Sequence, residues 1–161
     1  MRSAERAGCR AAGDLRSAGG LRRLVIDANT LVSGCVDPHG ESPPCLLYRE
    51  LAGARFELIV CPELLGEVAD TLRKPYFLER VGEGAVDEIV AGIAEAGTVV
   101  DDPAGIDAVL RDPEDDYLVA LAREAGAEAI VSGDRDLLDH VGLQPAAISP
   151  REACGLLGLL Y

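Results

Sequence analysis

Two short apolar runs in this chain each end on acid. Leu24, Val25 and Ile26 run into Asp27, and Ala129, Ile130 and Val131 run through Ser132 and Gly133 into Asp134 and Asp136. Unbroken apolar runs of this length suit strands covered on both faces, the pattern of a parallel sheet packed between helices. In open sheets of that kind the carboxyl ends of the strands share one edge, where ligands bind. Acids more than a hundred residues apart in the chain would then converge. Like charges within ~4–6 Å repel unless a cation or a proton intervenes, and a bound divalent metal is the simplest such partner.

The rest of the chain alternates between the same two patterns. Strands are expected at 22–27, 56–60, 98–100 and 128–132, with a short one near 146–148. The first strand leads into a loop containing Asp37-Pro38-His39-Gly40, and a helix then runs from about Pro44 to Ala52. Pro62 suits the first position of a helix to about Arg73, where its missing N–H would be unpaired in any case. Pro75 interrupts that helix, and Val86, Ile89, Val90 and Ile93 mark another at helical spacing. Asp112 and Pro113 announce a further helix as N-cap and first residue, which should stop at Gly126, and a last helix starts from Pro150. A hydrophobic content of 48% with only 4% aromatics means a core of Leu, Val, Ile and Ala, which favours α/β over an all-β sandwich. The expected fold is a three-layer α/β/α sandwich with a four- or five-stranded, mainly parallel sheet.

Residues 22–161 are read as one domain, preceded by a basic tail at 1–21. Met1 to Arg23 carries six arginines against Glu5 and Asp14, a surplus of four positive charges, so the formal −13 of the chain leaves −17 on the remainder. The tail lacks the apolar segment of a secretory signal. It is read as disordered or as the product of a start codon set too early, with a nucleic-acid-contacting arm as the alternative. A body at −17 binds nucleic acid poorly by charge alone, because phosphate affinity comes from Lys and Arg. Either the substrate is not nucleic acid, or metal ions and a few arginines supply positive charge locally.

Five cysteines without a C-x-x-C pair suggest reduced thiols and a cytoplasmic protein. The longest apolar stretch, Ala153 to Tyr161, has nine residues, far below the ~20 needed to span a bilayer.

The acids have structural as well as chemical readings. Asp27 and Asn29 could simply hydrogen-bond the turn after the first strand, and Asp134 and Asp136 could cap a following helix. Glu67 lies at the edge of the stripe formed by Leu64, Leu65, Val68 and Leu72, where it reaches either the sheet edge or solvent. Asp116 shares a face with Arg123, which would expose it. Yet Tyr117 to Ala122 is apolar throughout, so a charge at the head of so buried a helix needs a partner.

The order I-D-A-N-T-L-V at 26–32, C-P-E-L-L-G-E-V-A-D-T-L-R-K-P at 61–75, D-P-E-D-D-Y-L-V-A-L-A at 112–122 and I-V-S-G-D-R-D-L-L at 130–138 resembles a PIN-domain ribonuclease. More narrowly, it is similar to the single-domain toxins of bacterial toxin–antitoxin pairs. The likeness covers about residues 22–158. It implies metal-site acids at Asp27, Glu67, Asp116 and Asp134, with Asp136 auxiliary. Asn29 and Ser132 match small polar positions that steady the carboxylates or a water, and Asp112 and Asp115 are left as caps. The resemblance further implies endonucleolytic cleavage of RNA leaving a 5′-phosphate and a 3′-hydroxyl, a protein antitoxin that blocks the site, and a homodimer.

An all-carboxylate site suits Mg²⁺ or Mn²⁺ rather than zinc, and His39 and His140 do not form a metal set. Three rival readings share the strand-end acids. A haloacid-dehalogenase-like phosphatase would use Asp27 with Gly133-Asp134 and Asp139, although Asn29 stands where its general acid belongs. A phospho-acceptor receiver domain would need a lysine late in the chain, and none follows Lys74. A catalytically silent PIN-like module would only bind a partner.

Overall fold

Leu24, Val25 and Ile26 are all buried, so both faces of their strand are covered, as the unbroken apolar run requires. The structure is a computed structural model that describes residues 22–110 and 112–160; the expected tail at 1–21 and its Cys9 lie outside these. Five strands form the sheet: β1 (Arg22–Ile26), β2 (Phe56–Val60), β3 (Thr98–Val99), β4 (Ala129–Val131) and β5 (Ala147–Ile148). Their order is β3-β2-β1-β4-β5, and every pairing is parallel. The first strand lies in the middle of the sheet; from it the chain steps outward through β2 and β3, then crosses to the opposite side of β1. The direction of winding therefore reverses between β1 and β4, the switch point where α/β sheets open a crevice. Ile26 pairs with Val131, which brings the residues that follow each strand side by side.

Eight α-helices accompany the sheet among the described residues: α1 (Ala28–Cys35), α2 (Pro43–Arg49), α3 (Pro62–Leu72), α4 (Pro75–Val81), α5 (Val86–Ala96), α6 (Asp116–Glu124), α7 (Arg135–Leu138) and α8 (Pro150–Leu156). Proline opens α2, α3, α4 and α8, where its fixed φ helps and its missing donor costs nothing. Lys74, before Pro75, is extended at φ −65° and ψ 141°, as the clash with a following proline ring requires. Gly126 stops α6 one residue beyond its cap with φ +67°, the left-handed conformation that glycine adopts freely.

Two elements differ from expectation. Helix α1 stands where the sequence reading runs from strand directly to loop; its signal is Asp27, whose Oδ1 accepts from the Thr30 N–H at 2.9 Å as an N-cap. The element announced by Asp112 opens as a 3-10 turn, Pro113–Asp115, before the α-helix proper begins at Asp116. This winding turns two neighbouring acids in different directions.

Candidate functional site

Asp27 continues β1, its N–H still donating to the Val131 carbonyl at 3.0 Å. It is 8% exposed, and both its oxygens are held. While Oδ1 caps α1, Oδ2 accepts from the Ser132 hydroxyl at 2.5 Å. Ser132 is fully buried, and its Oγ accepts the Asp134 N–H at 3.0 Å. One buried hydroxyl thus joins the acid after β1 to the backbone after β4. Asp134 is the N-cap of α7, its Oδ1 accepting from the Asp136 N–H at 2.9 Å.

Glu67 comes from α3, whose Leu64, Val68, Thr71 and Leu72 are buried and leave it half-buried on the shoulder. The hydroxyl of Tyr117, on α6, donates to Glu67 Oε2. Tyr117 is itself buried; burial first, and then the bonded carboxylate, push its hydroxyl upward in pKa and keep it a donor.

Asp115 ends the 3-10 turn and is half-buried. Its carboxyl is pushed up to about 6, first by burial and then by the charges of Asp112, Glu67, Asp134 and Asp27. The charges of the acids after β1 and β4 and of the acid on α3 therefore all bear on Asp115. The field reaches Glu63, whose carboxyl is raised by burial, then by Asp102 and Glu67.

Asp116, the acid expected here, is turned elsewhere. It is 3% exposed, and its Oδ1 accepts from the Val109 and Leu110 amides at 3.1 and 2.7 Å. The partner that a charge at the head of this buried helix requires is thus the 109–110 backbone. Asp115, assigned from sequence to a capping role, makes no cap bond; capping falls to Asp112, which accepts from the Glu114 N–H at 3.0 Å. The side chain of Asp136 is also apart, lining a hollow with Arg135, Asp139 and His140, and only its amide serves the site. His140 contacts the Val109 carbonyl through Nε2.

Asn29 and Ser33 are exposed one turn apart on α1. With Asp27, Thr30, Gly133 and Asp134 they line an open hollow of about 420 Å³. Among the described residues, none of the five ion pairs involves Asp27, Glu67, Asp115 or Asp134. Charge of one sign is gathered there without a counter-charge.

The donor set fits a hard divalent cation: carboxylate oxygens only, and mutual repulsion that a cation would relieve. It is not a closed cage, since among the described residues no group of three or more His, Cys, Asp or Glu side chains is arranged to hold a metal ion.

Comparison with known proteins agrees with this architecture. The crystal structure of PAE2754 from Pyrobaculum aerophilum superposes with a TM-score of 0.59 over 94% of this chain and 100% of that one, at 21% identity. The likeness is one of fold. No curated protein matches the sequence. The PIN domain profile matches residues 23–136, well over half of the chain, with Asp27, Glu67, Asp115, Asp116, Asp134 and Asp136 inside it. The chain belongs to the PIN-domain family, whose members are generally nucleases.

Proposed function

We propose that the protein is a metal-dependent endoribonuclease and the toxin component of a toxin–antitoxin pair. The observation that carries the nuclease reading is the buried Ser132 hydroxyl that ties Asp27, after β1, to the backbone of Asp134, after β4, at the switch point of the sheet, with the charges of Asp27, Asp134 and Glu67 all bearing on Asp115 and no paired cation among the described residues. In this reading Asp27, Glu67, Asp115 and Asp134 hold Mg²⁺ or Mn²⁺, with Asp115 taking the place that sequence assigned to Asp116. The bound ion supplies Lewis-acid polarisation of the scissile phosphate and a lowered pKa for the attacking water.

The residues of the chain contribute orientation and electrostatics. Ser132 fixes Asp27 and the backbone of Asp134, and Asn29 and Ser33 line the hollow that receives the substrate strand. The family resemblance implies products with a 5′-phosphate and a 3′-hydroxyl; attack by water, with no part for the 2′-hydroxyl, is compatible with those ends and leaves no 2′,3′-cyclic phosphate. The toxin assignment rests on the four ordered motifs, and an antitoxin would close the site with an arginine on the carboxylates. No observation favours the phosphatase or the silent module.

The test is incubation of the purified, antitoxin-free protein with total cellular RNA and Mn²⁺, followed by mapping of the new 5′ ends. Discrete cuts with 5′-phosphates are expected, absent with EDTA and reduced at least a hundredfold in Asp115→Asn, the order of loss for a group acting in the transition state. An Asp115→Asn variant of full activity would remove that acid from the site.

A further inference from the structure

Glu67 is the one acid of the site carried on a long side chain from the middle of a helix. Asp27 and Asp134 are pinned by caps and by Ser132, whereas a half-buried glutamate has three rotatable bonds, and ordering such a side chain costs conformational entropy. Its α3 neighbours place Glu67 only on a shoulder from which it reaches solvent as readily as the other acids.

The Tyr117 hydroxyl removes that freedom. Tyr117 is 3% exposed, so its ring is fixed by packing and its hydroxyl must find a protein partner. The partner is Glu67 Oε2, fifty residues away in sequence and on another helix. Tyr117 follows Asp115 by two residues, so one rigid piece of chain both presents Asp115 and holds the carboxylate of α3 in register with it.

Resting on the metal-dependent reading above, we infer that Tyr117 is a positioning residue: its hydroxyl holds Glu67 in the orientation that lets this carboxylate take part in binding the divalent ion. Groups that orient a metal-binding side chain are typically worth 10–100-fold in metal affinity.

The inference is tested by titrating Mn²⁺ into the full chain and following the free ion by electron paramagnetic resonance, for wild type, Tyr117→Phe, Glu67→Ala and the double variant. Phenylalanine fills the same volume and removes only a hydroxyl whose partner can turn to water, so the variant folds. The expected result is binding weakened at least tenfold by Tyr117→Phe, and no further loss when the same change is made in Glu67→Ala. Wild-type affinity in Tyr117→Phe would overturn the inference while leaving the metal site intact. Equal weakening in both backgrounds would also overturn it, since the effect would then be one of packing and not of Glu67. Absence of Mn²⁺ binding by the wild type would overturn the metal reading itself.

Discussion

Asp115 and Asp116 are adjacent acids with opposite environments, and their substitutions separate them. Burial first, and then the neighbouring acids, push the Asp115 carboxyl up to about 6 from the ordinary aspartate range, so its ionisation weakens the fold as pH rises from that range through 6. Asp115→Asn should therefore raise the melting temperature of the metal-free protein at pH 7 while blunting its stabilisation by Mn²⁺. Asp116→Ala should do the reverse: it deprives the Val109 and Leu110 amides of their acceptor, a loss of about 1–3 kcal/mol readable in urea denaturation. If Asp115→Asn lowered the melting temperature instead, the other acids would not be crowding it. Sequence makes Asp27 and Asp134 legible because each follows an apolar strand. It does not distinguish Asp115 from Asp116, because a single 3-10 turn decides which one faces the cluster, and turn pitch leaves no mark on composition. Tyr117 is hidden for a different reason, since a tyrosine in an apolar helix reads as core until its hydroxyl partner is seen.

Helix α1 shows how much an element can owe to its neighbours. Its sequence, ANTLVSGC, mixes Thr30 and Val32 with Gly34, residues of weak helix propensity, so no local signal but the Asp27 cap announces it. It is held instead by contact with its neighbours, and at Gly34 the backbone of α2 comes too close for a side chain. A Cβ at Gly34 would lie 2.4 Å from the Pro44 carbonyl oxygen and 2.6 Å from Tyr48 Cβ, neither of which is the free end of a flexible side chain. Gly34→Ala should force α1 and α2 apart and destabilise the protein by about 1–3 kcal/mol; unchanged urea stability would mean that the pair yields without cost. Because Asp27 begins α1 and Asn29 lies on it, the same change should reduce activity as well. The strands and the proline-led helices were readable because their signals are local: an apolar run, or a ring at the first position.

At the scale of the molecule the acidic body and the metal belong to one account. The chain beyond Arg23 carries a formal −17, and the carboxylates at the switch point concentrate part of that charge where, in the proposed reading, an anionic substrate approaches. A cation bound there stabilises the folded state by RT ln(1 + [L]/Kd), about 2.7 kcal/mol at a hundredfold excess over Kd. Mn²⁺ should accordingly raise the melting temperature by several degrees, and EDTA should return it to the metal-free value. A melting temperature indifferent to Mn²⁺ would leave the cluster without its ion. Four of the described thiols, Cys35, Cys45, Cys61 and Cys154, are free and buried, and no helix among the described residues is long and apolar enough to cross a membrane.

The strand order also sets a timetable. The first strand of the sheet lies at its centre, and one flank stays bare until β4 arrives more than a hundred residues later. During synthesis the chain emerges from its N-terminus at roughly 5–20 residues per second, so for several seconds Asp27 and Glu67 exist without Ser132 or Asp134. The pairing of Ile26 with Val131 is long-range and among the last contacts to form. A nascent or prematurely ended chain thus cannot gather its acids, and whatever this cluster does, it does only once nearly the whole protein has been made.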